Sequence, residues 1–114
     1  MKLQIEGQHL RVRIGEDELA QLLAGEPVRA STQFAQAFAM TCTLRLAAGS
    51  EARFAGQPGA WIIDMPEAAV REHTARLPTR EGLTFILAGN DAGEALELLF
   101  DVDVRDSVRQ RLSR

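Results

Sequence analysis

Lys2-Leu3-Gln4-Ile5-Glu6-Gly7-Gln8-His9-Leu10-Arg11-Val12-Arg13-Ile14 decides how this chain is read. Leu3 and Ile5 alternate with Lys2, Gln4 and Glu6, and Leu10, Val12 and Ile14 alternate with Arg11 and Arg13. A period of two sends successive side chains to opposite faces of an extended segment, leaving one face for a core and one for water. Gly7-Gln8-His9 separates the two runs as a three-residue connection, and Gly7 can adopt the positive φ of a tight turn. Residues 2–14 therefore predict a β-hairpin.

The same alternation recurs along the chain. Phe38, Met40, Cys42, Leu44 and Leu46 face away from Thr41, Thr43 and Arg45, and Leu96, Leu98, Phe100, Val102 and Val104 face away from Glu97, Asp101 and Asp103. Shorter strands are predicted over 28–34, 51–55, 60–65 and 82–88. A one-sided apolar pattern of this kind describes antiparallel strands with one wet face. Two stretches change to the helical period. Over 16–24, Leu19, Leu22 and Leu23 share a face behind the acidic start Glu16-Asp17-Glu18, and Gly25 can close the helix. Over 66–77, Pro66 suits a first helical position, Val70, Thr74 and Leu77 face one way, and Pro78 ends the run. A third, weaker helix is expected from Asp106-Ser107 to the end.

Laid end to end, the elements read hairpin, helix, hairpin over 2–47 and again over 51–104. At a shift of 51 residues Glu16 falls on Glu67, Ala24 on Ala75, Pro27 on Pro78, Arg29 on Arg80 and Phe34 on Phe85. The expectation is a single α+β domain, rich in antiparallel strands, with about eight strands, two helices and an internal ββαββ duplication. Its sheet edges would be removed by closure into a barrel or protected by packing two halves together.

With 114 residues, 46% of them hydrophobic and 25% charged, the chain has the balance of an ordinary globular domain. It has no apolar run near the roughly 20 residues that span a bilayer. Its single cysteine, Cys42, cannot form an internal disulfide and fits a reducing, cytoplasmic compartment. A formal charge of −3 argues against the positive field that nucleic-acid binding requires. The Arg-rich end, Arg105, Arg109, Arg111 and Arg114, carries no aromatic side chain for base stacking and reads as a solvated terminus.

Chemistry is hard to find. Cys42 lies between Met40 and Leu44 in an apolar alternation and reads as a small buried hydrophobe. His9 in a hairpin turn and His73 on a helix read as surface residues, and neither has a partner at zinc-ligand spacing. No cofactor or metal is expected. Gly56-Gln57-Pro58-Gly59 and Gly89-Asn90-Asp91-Ala92-Gly93 read as hairpin turns, without the Gly-Lys-Ser/Thr of a phosphate loop. The remaining candidates are Asp101 and Asp103 on the last strand, facing Arg11 and Arg13 if the first hairpin is its neighbour. Such a cluster could bind a cation or small ligand, or serve a reaction. Equally, it could be a set of cross-strand ion pairs that fix register. Ile62, Ile86 and Leu99 are apolar residues on nominally wet faces. They predict either cover by the two helices or an interface between two copies of the chain.

The opening string, with Glu18-Leu19 and Leu22 after it, resembles a family of small, uncharacterised bacterial proteins that begin approximately K-[IL]-R-[IL]-x-G-N-S-[IL]-R-x-R-[IL]. The likeness continues at lower density through Met65-Pro66, Gly82-Leu83 and the closing strand 98–104, with Gln8-His9 in place of Asn-Ser. It implies a compact bacterial cytoplasmic domain and brings no reaction with it. An eight-stranded duplicated chain is also similar to the triphosphate tunnel enzymes, but a polyphosphate tunnel needs charged inward positions, and here those positions are Leu, Val, Ile, Met, Phe and Cys. The sequence thus points to a non-catalytic interaction or binding module, with a homodimer as one expected form. The alternative is an enzyme or cation-dependent binder that uses Arg11, Arg13, Asp101 and Asp103.

Overall fold

The structure is a computed structural model that describes residues 1–104. The helix expected from Asp106 onward lies outside the described residues. The elements run β1 (Lys2–Glu6), β2 (His9–Gly15), α1 (Glu16–Leu23), β3 (Val28–Phe34), β4 (Phe38–Ala47), β5 (Arg53–Gln57), β6 (Ala60–Pro66), α2 (Glu67–Ala75), β7 (Leu83–Leu87) and β8 (Leu96–Asp103), with a short 3-10 turn at Ala92–Glu94. The chain is α+β, as the periodicities require. In the first hairpin Glu6 pairs with His9, so only Gly7-Gln8 turn the chain, and Gly7 has φ 56°. Gln57 pairs with Ala60 around Pro58-Gly59; just before it Gly56 has φ 98°, and a Cβ there would collide with the Ala60 carbonyl oxygen.

The strands form two four-stranded sheets, β1-β2-β8-β7 and β3-β4-β6-β5. Neither closes into a barrel. The outer pairings are antiparallel hairpins, but the central pairings, β2 with β8 and β4 with β6, are parallel. The sheets are thus rich in antiparallel pairings, as expected, with one parallel junction at the centre of each. The cause of that junction is the route of the chain. Each helix carries the chain out of one sheet, so the two hairpins of a ββαββ unit lie in different sheets and each sheet takes one hairpin from each unit. Sequence alternation reports which side chains share a face and says nothing of strand direction.

The repeat in element order is regular in its first part only. Strands β1 and β2 and the start of α1 recur as β5, β6 and the start of α2 at a shift of 51. The connection after α2 is longer, so β7 starts at Leu83 where β3 starts at Val28, a shift of 55 (83 − 28). Register then makes Leu46, which faces Met65, equivalent to Val102, which faces Ile14. The coincidences of Pro27 with Pro78, Arg29 with Arg80 and Phe34 with Phe85 therefore do not mark equivalent places.

One apolar core joins both sheets and both helices. Leu10, Val12, Ile14, Leu98 and Phe100 from the first sheet meet Val28, Cys42, Leu44, Ile63 and Met65 from the second, with Leu19, Leu22 and Val70 from the helices. Each large apolar side chain so buried contributes roughly 1.5–3 kcal/mol relative to exposure. Inside α1 the sequence supports this placement, since its three acidic residues stand at the positive end of the helix and Leu19 and Leu22 are its buried pair. Arg71 of α2 donates from Nη2 to the Leu23 carbonyl oxygen at 2.9 Å, placing a cation at the C-terminal end of α1 and tying the helices together. Both helices lie on the inner faces, with Leu10, Val12 and Ile14. They do not cover Leu99, Ile86 or Ile62, which the alternation directs to the opposite faces.

Candidate functional site

The parallel junction of β2 and β8 sets Arg13 opposite Asp101 and Arg11 opposite Leu99. Asp101 lies between the two arginines. It accepts from Arg11 Nη2 at 2.6 Å and Nε at 3.1 Å, and from Arg13 Nε at 3.2 Å. Its side chain is 15% exposed, while both guanidinium groups keep contact with water. Asp103 is engaged as well. The predicted cluster is therefore brought together, but as a set of ion pairs across strands.

These residues border a hollow of about 330 Å³ with Thr79, Arg80 and Glu81. Three guanidinium groups and three carboxylates meet there, so the hollow has no net charge with which to draw an ion. Among the described residues no group of three His, Cys, Asp or Glu side chains is placed to hold a metal. Next along the same outer face, His9 Nδ1 lies 2.9 Å from Glu97 Oε2. This pair also joins β2 to β8 at directly opposed positions.

The other candidate nucleophile and base are withdrawn from solvent. Cys42 is fully buried, and burial pushes its thiol up to about 11, so the thiolate required for attack is absent at neutral pH. His73 was expected at the surface and is instead 2% exposed. The buried pair of α2 is Val70 and His73, so this helix is turned from the face Val70, Thr74, Leu77 that the spacing suggested. The His73 ring meets Phe100 edge-on with centroids 6.5 Å apart, and its Nε2 has no hydrogen-bond partner among the described residues. Burial, and secondarily the charge of Arg76, lower its pKa below the ordinary histidine value, against an opposing pull from Asp101.

The three apolar residues singled out from the sequence do not form one patch. Leu99 and Ile86 lie on the outer face of the first sheet, and Ile62 lies on the second. Leu99 and Ile62 are half-buried between neighbouring strands, while Ile86 is 69% exposed.

Ile86 belongs to a feature that the sequence does not announce. The edge strand of the first sheet, β7, and the edge strand of the second, β5, border one groove of about 690 Å³. Consecutive residues from both sides line it, 50–54 from the approach to β5 and 84–88 along β7. A strand seen from its flat face shows every second side chain, whereas one seen along its edge shows all of them together with the backbone. The groove thus exposes main-chain edges that are unpaired among the described residues. Phe54, Phe85 and Leu87 come from the inner faces, Ile86 from the outer face, and Glu51, Arg53 and Glu94 supply charges of both signs. The signal in sequence is weak: 82–89 contains no charged residue. An uncharged edge strand is one that the chain has not guarded against pairing.

Among the described residues no helix is long and apolar enough to cross a membrane. Neither models of known protein families nor the curated proteins give a match to this sequence.

Proposed function

We propose that this protein is a non-catalytic interaction module that takes an extended segment of a partner protein into the groove between β5 and β7. The observation that carries this reading is that two sheet edges, unpaired among the described residues, border a single groove lined by apolar side chains and by charges of both signs. An extended chain is recognised there by main-chain hydrogen bonds, and its alternate side chains are recognised by apolar contacts. The inserted segment would meet Phe54, Phe85 and Leu87 with one set of side chains and Ile86 and Thr84 with the other. The buried free thiol of Cys42 supports a reducing, cytoplasmic setting for this role. Against the alternative of a catalytic or cation-binding cluster stands the geometry of Asp101, whose carboxylate is taken up by two arginines.

Selection from a random-peptide display library tests the reading. Retained peptides are expected to carry apolar residues at every second position. Ile86→Lys and Phe54→Lys should each weaken their binding at least about tenfold, and Arg11→Ala should leave it unchanged. No retention above background, or retention that both groove variants leave intact, would overturn it.

A further inference from the structure

The β3–β4 hairpin has a second unguarded edge, remote in sequence from the groove. Strand β4 meets β6 only from Thr41 onward, so Phe38, Ala39 and Met40 pair with β3 alone and the hairpin tip runs on as a two-stranded ribbon. Its inner face continues the apolar row of the core beyond the helices. Phe34 and Phe38 lie there with ring centroids 5.1 Å apart, and Phe38 is 60% exposed. Residues 30–44 carry no charged side chain, in a chain of which 25% is charged. By contrast β1 carries Lys2 and Glu6, whereas the charge of β3 is confined to Arg29 at its start. Exposed sheet edges are ordinarily protected by such charges, by proline or by a covering element. Ser31–Phe34 are exposed, and β3 stands at the edge of its sheet.

We propose that a second copy of this chain occupies this edge, β3 pairing antiparallel with β3 of the other copy about a two-fold axis at Ser31. The sequence of the strand is self-complementary about that residue. Val28 then lies opposite Phe34, Arg29 opposite Gln33, and Ala30 opposite Thr32, so every inner-face residue meets an inner-face residue. No charge meets a like charge. The two copies of Arg29 stand four strand positions apart, roughly 13 Å at 3.3 Å per residue, which exceeds the screening length at physiological salt. Beyond Arg29 a charged partner would find nothing on this strand to pair with, whereas an identical strand offers the same uncharged stretch 30–34 and the same open edge. The interface is closed by its own symmetry. It joins the two second sheets into one eight-stranded sheet, brings the exposed phenylalanines of both copies onto one face, and leaves the groove between β5 and β7 free on each copy.

Sedimentation equilibrium of the full chain, from about 1 to 200 μM, tests the proposal. The wild-type protein is expected to move with concentration from the 12.5 kDa chain mass to twice that mass. Thr32→Lys and Phe34→Lys, both at exposed positions, should each shift the midpoint at least tenfold upward. A Ser31→Cys variant should form a disulfide-linked dimer under mild oxidation, while Gln4→Cys on the edge of the other sheet should not, with buried Cys42 silent in both. A strict monomer across the range, or a dimer that both lysine variants leave intact and Ser31→Cys fails to trap, would overturn the proposal. Peptide binding in the groove would survive either result, so the two readings fail separately.

Discussion

The two sheets answer the same structural demand with opposite charges. In the first, Arg13 on β2 faces Asp101 on the parallel strand β8; in the second, Asp64 on β6 faces Arg45 on the parallel strand β4. Arg13 and Asp64 occupy equivalent places at the shift of 51, as Asp101 and Arg45 do at the shift of 56. Arg45 donates to Asp64 from Nε at 2.7 Å and from Nη2 at 3.0 Å, and this contact holds its guanidinium above the ordinary arginine pKa. An ion pair that locks register works equally well with its ends exchanged, whereas a catalytic or ligand-binding arrangement does not. The exchange is therefore the strongest reason to read the Arg11–Arg13–Asp101 set as a structural rung. The sheets differ in what surrounds that rung. The first surrounds it with further charges and a His–Glu pair. The second sets Arg53 opposite Asp64 and Arg29 opposite Thr43, but turns to Ser31, Thr41 and Ala39 along its outer face and ends in an uncharged hairpin.

The largest expected effect concerns whether the two sheets act as one. Phe100→Ala in the first sheet should cost about 3–5 kcal/mol, and Leu44→Ala in the second about 2–5 kcal/mol, because each empties a fully buried place in the same core. Urea unfolding followed by circular dichroism and by Trp61 fluorescence should show one shared transition for each variant. Two separated transitions would break the picture of a common core.

Acid should act next, through His73 of α2, whose ring meets Phe100 of the first sheet. Since the folded-state pKa of His73 is lowered, the unfolded chain binds more protons between that value and the ordinary 6.5. The His73 contribution to stability is complete above pH 6.5 and is lost as pH falls below it, at up to about 1.4 kcal/mol per pH unit. His73→Leu should flatten that part of the pH profile. Arg76 and Asp101, the charges that act on this ring, should shift its midpoint in opposite directions when neutralised.

The ion-pair rungs come third. Asp101→Asn should cost about 1 kcal/mol, since one carboxylate serves two guanidinium groups. Asp64→Asn should cost less. If Asp101→Asn instead stabilises the fold, its carboxylate is held for a use other than register. Smallest of all, Cys42 should resist a thiol reagent in the native state and react fully in urea, in keeping with its raised pKa.

How much of this the sequence discloses follows from what periodicity encodes. Alternation at Leu10, Val12 and Ile14 or at Leu98, Phe100 and Val102 reports a buried face directly, and those residues are in the core. Helix α1 is legible because its acidic start, its leucine face and Gly25 agree. The pairing of Arg11 and Arg13 with Asp101 was accessible as one alternative because their spacing matches along two strands. Strand direction was not legible. Nothing in β2 or β8 distinguishes a parallel from an antiparallel neighbour. The β3–β4 turn also escapes turn chemistry, because Ala35-Gln36-Ala37 carries none and Ala35 takes φ 51° without glycine. His73 was misplaced because two neighbouring helical faces both contain Val70. The groove could not be seen because it joins edges of different sheets, a property of topology rather than of any segment.

Amide hydrogen exchange tests the central claim most directly. In the free protein, amides along the open edges of β5 and β7 should exchange fast while those of β2 and β8 are protected. Binding of a selected peptide should slow exchange at Arg53–Ala55 and Thr84–Leu87 together. Protection of those edges in the free protein, or a bound peptide that slows exchange only around Arg11, Arg13 and Asp101, would contradict the account.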